Sequence, residues 1–116
     1  MVPLAAVLAL AAPPRATLDT GAARVPLAIS SWCWGARCGA PIARSTRTAA
    51  VATGTLVTVE LGFVPKRVQL AVGGKRLAVV RHGRDLSWRV ERGGGLTLTA
   101  TGARGWVTYV GRIRLR

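Results

Sequence analysis

Carboxylates are nearly missing from this chain: four Asp and Glu stand against 17 Lys and Arg in 116 residues, for a net charge of +13. Catalysis by paired carboxylates needs two acids on facing elements about 5 to 9 Å apart. The supply is Asp19, Glu60, Asp85 and Glu91, which read as members of surface ion pairs, each contributing under about 1 kcal/mol. Histidine is scarcer still. His82, in Arg81-His82-Gly83-Arg84-Asp85, has no G-x-S-x-G serine to activate and reads as a solvated loop residue. Two cysteines plus His82 fall short of the four ligands of a structural zinc. No apolar run reaches the roughly 20 residues of a spanning helix, and no block of five or six like charges marks a nucleic-acid arm. The glycine pairs and runs, Gly73-Gly74 and Gly93-Gly94-Gly95, open no helix and so do not read as phosphate loops. No catalytic residues, no metal and no cofactor are expected.

What is present defines one collapsing domain. Half the residues are apolar and 18% are charged, a balance that excludes wholesale disorder. Of the 17 cations, 15 are Arg, spread from Arg15 to Arg116. Two readings of this bias stand side by side: the compositional habit of a GC-rich genome, or selection for a polyanion. Near the start, Leu4 to Ala12 is a short apolar run that includes Ala9-Leu10-Ala11, a small-x-small cleavage pattern, and is followed by Pro13-Pro14. It reads as a candidate signal peptide over residues 1–12, although no Lys or Arg precedes it. The competing reading is a short buried helix. Residues 13–23 read as a linker, and residues 24–116 as the folded domain.

Within that domain the signal is period two. Val25, Leu27 and Ile29 share one parity, with Pro26 placing the segment at a sheet edge. Residues 32–41 read as a loop closed by the cysteines. Val57, Val59, Leu61 and Phe63 form a clear alternation that ends at Pro65; Val68, Leu70 and Val72 follow. Gly73-Gly74 predicts a hairpin turn before Leu77 and Val79. A second hairpin is expected where Leu86, Trp88 and Val90 meet the Gly93-Gly94-Gly95 run and then Leu96, Leu98 and Ala100. The last strand sets Val107, Tyr109, Gly111, Ile113 and Leu115 on one face and Thr108, Arg112 and Arg114 on the other. Six to seven short strands with turns roughly every 8 to 12 residues predict an all-β sandwich or small barrel.

Cys33 and Cys38 are spaced to close a small loop, and an even pair in an exported chain favours a disulfide; buried free thiols remain the alternative. Ser31-Trp32-Cys33-Trp34, with Cys38 closing the loop, resembles the Ser-Tyr-Cys-Trp motif of a family of small secreted proteins and lipoproteins of Gram-positive bacteria. Tyr109-Val110-Gly111-Arg112-Ile113-Arg114-Leu115, preceded by Gly105-Trp106, resembles that family's closing Tyr-Ala-Phe-x-Ile-x-Val strand. The resemblance covers most of residues 25–116. It implies an immunoglobulin-like β-sandwich of about seven short antiparallel strands, outside the membrane and without assigned enzymatic activity.

Three departures accompany it. Trp32 stands for the motif's Tyr, Gly111 for an aromatic whose space Trp88 or Trp106 would fill, and no attachment Cys precedes the domain, which favours a soluble secreted form over a tethered one.

Function is then a matter of binding. Trp32 and Trp34 lie on the opposite parity from Leu27 and Ile29, so at least one is expected to face outward, near Arg37, Arg44 and Arg47. The competing reading has both covering the core edge. A second surface is the stripe Arg112, Arg114 and Arg116, with Arg89 as a possible neighbour. The expected partner is an anionic envelope polymer or a protein. The alternative function is an intracellular small β-barrel that binds single-stranded nucleic acid, for which the dispersed aromatics supply a poor stacking platform.

Overall fold

A computed structural model of the chain describes residues 12–39 and 47–116. The candidate signal peptide, apart from Ala12, lies outside the described residues, as does Arg44. Among the described residues there are twelve strands and no helix. They are β1 (Ala16–Asp19), β2 (Arg24–Pro26), β3 (Ala28–Trp34), β4 (Arg37–Gly39), β5 (Thr48–Val51), β6 (Leu56–Leu61), β7 (Arg67–Val72), β8 (Lys75–Leu77), β9 (Val80–His82), β10 (Asp85–Arg89), β11 (Gly94–Gly102) and β12 (Gly105–Leu115). The smaller sheet has the order β2-β1-β6-β10-β9, and the larger β4-β3-β12-β11-β7-β8. Pairing is antiparallel throughout except for β5, which lies parallel to the end of β12. The all-β expectation holds, with more strands than the seven anticipated and one parallel pair.

Alternation explains the layers. In β6, Val57, Val59 and Leu61 are buried while Leu56, Thr58 and Glu60 are not. In β12, Val107, Tyr109, Gly111 and Ile113 point inward and Thr108, Arg112 and Arg114 outward, as the pattern predicts. The inner faces of both sheets share one core that includes Leu18, Val59, Leu86, Leu70, Leu98 and Tyr109. Each such Leu or Val contributes roughly 1.5 to 3 kcal/mol by leaving water.

Three expectations are corrected. The linker assigned to residues 13–23 contains β1, which is paired on one side with β2 and on the other with β6. Its period-two signal is real but only four residues long, with Ala16 as one of its two apolar positions. The glycine run at 93–95 is not a hairpin turn. The end of β10 stays with the smaller sheet, where Val90 N–H donates to Thr55 O (2.9 Å), whereas β11 belongs to the larger one, so the chain crosses between layers there. Residues 32–41 are not an open loop over 32–39: β3 and β4 form a hairpin, with Cys33 directly opposite Cys38.

The Gly73-Gly74 turn is as expected. Both residues have positive φ (58° and 79°), the left-handed conformations of a two-residue turn, and they join β7 to β8. At Gly105 the need is closeness. A Cβ there would stand 1.9 Å from the carbonyl oxygen of Cys33, so only glycine lets β12 approach β3.

Tyr109 ties the larger sheet to the strand that opens the smaller one. Its ring is fully buried, and its hydroxyl donates to the carbonyl of Pro14 (2.7 Å), two residues before β1. Burial raises the phenol's pKa well above its ordinary value near 10. The neutral form is thus favoured in the folded state, and the stability this brings is complete below pH ~10 and lost as pH rises above it. Tyr109→Phe should cost about 1 kcal/mol at neutral pH. In urea unfolding series from pH 7 to 11, the gap between wild type and Tyr109→Phe should narrow above pH ~10.

Candidate functional site

The tryptophan pair depends on one extra residue. Opposite β12, Ser31 pairs with Thr108 but Ile29 pairs with Tyr109, so β3 carries a bulge at Ser30. The bulge exchanges parity. Upstream, Leu27 and Ile29 face inward; downstream, Trp32 and Trp34 do, and Cys33 moves outward beside Trp106. Trp34 is 6% exposed, with its ring centroid 4.9 Å from that of Phe63 at a tilt of 58°. Trp32 lies over Gly39, where a Cβ would come within 2.3 Å of the indole, and packs against the core. Its Nε1–H is buried without an acceptor among the described residues. Both rings thus cover the core edge, and the expectation of an outward tryptophan at this pair is corrected.

The space opposite Gly111, expected to take Trp88 or Trp106, is filled by Leu27: its Cδ2 sits 2.8 Å from where a Cβ of residue 111 would be. Trp88 is buried in the smaller sheet, and Trp106 occupies the outer parity of β12.

The anticipated arginines separate into two groups. Arg37, opposite Trp34, and Arg104, whose carbonyl accepts from Gly35 N–H (2.8 Å), mark one end of the larger sheet. Arg47 lies at the other end, where its carbonyl accepts from Arg112 N–H (3.1 Å), beside exposed Arg112 and Arg114. Seven residues of strand, roughly 23 Å, separate the level of Gly105 from that of Arg112. Arg47 therefore does not share a site with the tryptophans, whereas Arg37 stands directly opposite Trp34 at their end of the sheet. Arg116 follows β12 and is exposed, with its N–H on Val51 O (3.1 Å). Arg89 does not join the Arg112 stripe; it belongs to the smaller sheet, and its Nη1 donates to Gly54 O (3.0 Å).

Register assembles a surface that sequence reasoning did not. Across the outer side of the larger sheet, Trp106 aligns with Thr101 and Arg67, Thr108 with Thr99 and Gln69, and Val110 with Thr97 and Ala71, beyond which comes Arg76. Thr99 and Thr108 share a hydroxyl hydrogen bond (2.9 Å). A shallow depression of about 110 Å³ lies among Gln69, Ala71, Arg76, Thr97 and Thr99. Arg112 and Arg114 continue the face along β12. No Asp or Glu side chain lies on it, because Asp19, Glu60 and Asp85 are all on the outer side of the smaller sheet and Glu91 follows β10. The Lys75-Arg76 pair after the Gly-Gly turn was the available signal in the sequence.

On the smaller sheet, Arg24 donates to both oxygens of Glu60 and lies 3.5 Å from Asp19. The hydrogen bond to Glu60 raises the guanidinium's already high pKa. Asp85 stands opposite Glu60, and His82 opposite Asp85. The chemistry this face supports is charge pairing. No protein-family model, curated protein or solved structure matches the chain.

Cys33 and Cys38 form a disulfide across the β3–β4 hairpin. Closing so short a loop is worth roughly 2 kcal/mol in the chain-entropy picture. Reduction, or the Cys33→Ser/Cys38→Ser double substitution, should lower unfolding free energy by about that amount without abolishing the fold. Urea unfolding with and without reductant checks this.

Proposed function

We propose that this chain is an exported, non-enzymatic binding module of immunoglobulin-like type that holds an anionic polymer of the cell envelope on the outer face of its larger sheet. The observation that carries the reading is the partition of charge: Arg67, Arg76, Arg112 and Arg114 share that face with no acidic side chain. From β12 to β8 it extends across three strand spacings, roughly 14 Å, matching an extended chain rather than a small molecule. Between the arginines, Thr97, Thr99, Thr101, Thr108 and Gln69 offer neutral donors and acceptors, and half-exposed Trp106 offers a ring face. Guanidinium forks suit the phosphates and carboxylates of such a polymer.

Export is supported by the apolar segment before Pro13 and by a disulfide that an oxidising compartment maintains. The Ser-Trp-Cys-Trp and Tyr109–Leu115 resemblance supplies the immunoglobulin-like assignment. Two packed sheets with antiparallel neighbours are compatible with it. The nucleic-acid alternative has less in its favour: Trp34 and Trp88 are buried and Trp32 packs on the core, leaving Trp106 alone as a stacking ring on the outer face.

Linear polyphosphate serves as a probe polyanion. Wild type should bind it with an affinity that falls steeply with salt, and the triple variant Arg76→Gln/Arg112→Gln/Arg114→Gln should bind more weakly, with a logarithmic salt slope smaller by about 2 to 3. Unchanged affinity in the triple variant, or a flat salt response in wild type, would overturn the reading.

A further inference from the structure

A second cationic feature lies away from that face, at the mouth between the two sheets. Lys75 and Leu77 of β8 pair with Val72 and Leu70, both core residues, so these two side chains stand on the inner side of the sheet's edge strand. From the smaller sheet, Arg89 at the end of β10, followed by Glu91 and Arg92, reaches the same opening. Together the five line a recess of about 160 Å³.

The side chains are placed by the backbone beneath them. Arg89 is anchored through one amino group on Gly54 O (3.0 Å), which leaves the rest of its fork free. The Arg92 stem crosses Gly73: Cγ and Cδ lie 3.2 and 3.1 Å from where a Cβ would be, so the glycine of the β7–β8 turn makes room for it. Gly73 N–H, in turn, bonds to Gly95 O (3.0 Å), fixing the turn against β11. Three cations therefore converge with one carboxylate. Within 4 Å, the ion pairs among the described residues are those of Arg24 with Asp19 and Glu60, so Glu91 neutralises none of the three.

We propose that this mouth binds the phosphate group of a phosphorylated polyol or sugar, an inference that rests on the molecule being an anion binder. Lys75, Arg89 and Arg92 take the phosphate oxygens, Arg through its fork and Lys as a point charge. Glu91, an acceptor without a cation, takes a hydroxyl of the carrier, and Leu77 meets its C–H surface. Unlike the open face of the larger sheet, the recess draws its groups from both sheets and has the size of one small ligand.

Calorimetric titration of the full chain at constant ionic strength with inorganic phosphate, glycerol 1-phosphate and glycerol separates the parts. Both phosphates should bind saturably, glycerol 1-phosphate the more tightly, and glycerol not at all. Lys75→Gln and Arg92→Gln should each weaken both phosphates by about tenfold or more, while Arg112→Gln/Arg114→Gln changes them less than about twofold. Glu91→Ala should strengthen inorganic phosphate and abolish the advantage of glycerol 1-phosphate. All of these side chains except Leu77 are exposed, and unchanged circular dichroism confirms folding of each variant; if one fails to fold, the other cation variant carries the test.

Absence of saturable phosphate binding, or equal loss in the Arg112→Gln/Arg114→Gln variant, overturns the site. An unchanged preference in Glu91→Ala overturns the polyol assignment. Polyphosphate binding that depends on Arg76, Arg112 and Arg114, with no saturable binding of inorganic phosphate or glycerol 1-phosphate, would sink this site and leave the proposed function standing.

Discussion

Strand β12 must satisfy hydrogen-bonding neighbours along its whole length, and the architecture follows from how it does so. On one side β11 accompanies it from Gly105 to Ile113. On the other, β3 serves as partner as far as Val110, and β5 takes over from Arg112 in the parallel sense. The exchange of partners falls at Gly111, where the absent side chain leaves space for Leu27, the residue immediately before β3. An aromatic at position 111, as in the family that this strand resembles, would contend with Leu27 for the same volume. The larger sheet is thus continuous because one small residue lets two successive neighbours share an edge.

Where alternation ran unbroken over six or more residues, it placed strands and faces correctly, as in β6 and β12. It misled in two circumstances, both physical. In the first, a pattern was too brief to register: β1 alternates over Ala16, Thr17, Leu18 and Asp19, and it is a strand because β2 and β6 pair with it from either side. In the second, a hydrogen-bonding irregularity reset the parity. Nothing in Ile29-Ser30-Ser31-Trp32 announces a bulge, yet it turns both tryptophans inward and carries Cys33 to the outer side. The glycine run at 93–95 shows a related limit, since glycine signals freedom to turn but not whether the next strand joins the same layer.

The candidate surfaces were legible in part. Arg112 and Arg114 fall on the outer side of β12 as their spacing implied. Their companions Arg67 and Arg76 come from strands whose neighbours are set by pairing over long sequence separations. The same holds for the acids: Asp19, Glu60 and Asp85 are scattered in sequence and gathered on one side of the smaller sheet by the β1·β6 and β6·β10 registers. With so few carboxylates, confining three of them to one face leaves a strongly cationic molecule with two unlike sides. One side carries the ion pairs of Arg24 with Asp19 and Glu60, and the other has no carboxylate.

The outermost strands β2, β4, β8 and β9 are each three residues long, and each includes Arg or Lys; β5, which pairs with β12 alone, is four residues long and carries neither. A protein built almost wholly of strands exposes at these margins the unfilled backbone donors and acceptors through which copies could stack into fibrils. Three residues offer too little ladder to template such growth, and bringing two like-charged margins together adds Coulomb repulsion. Pro26 in β2 removes a donor from one of them outright. The arginine at these margins therefore sets like charge against like wherever two copies would meet edge to edge, the same guanidinium group that the proposed function asks to meet an anion.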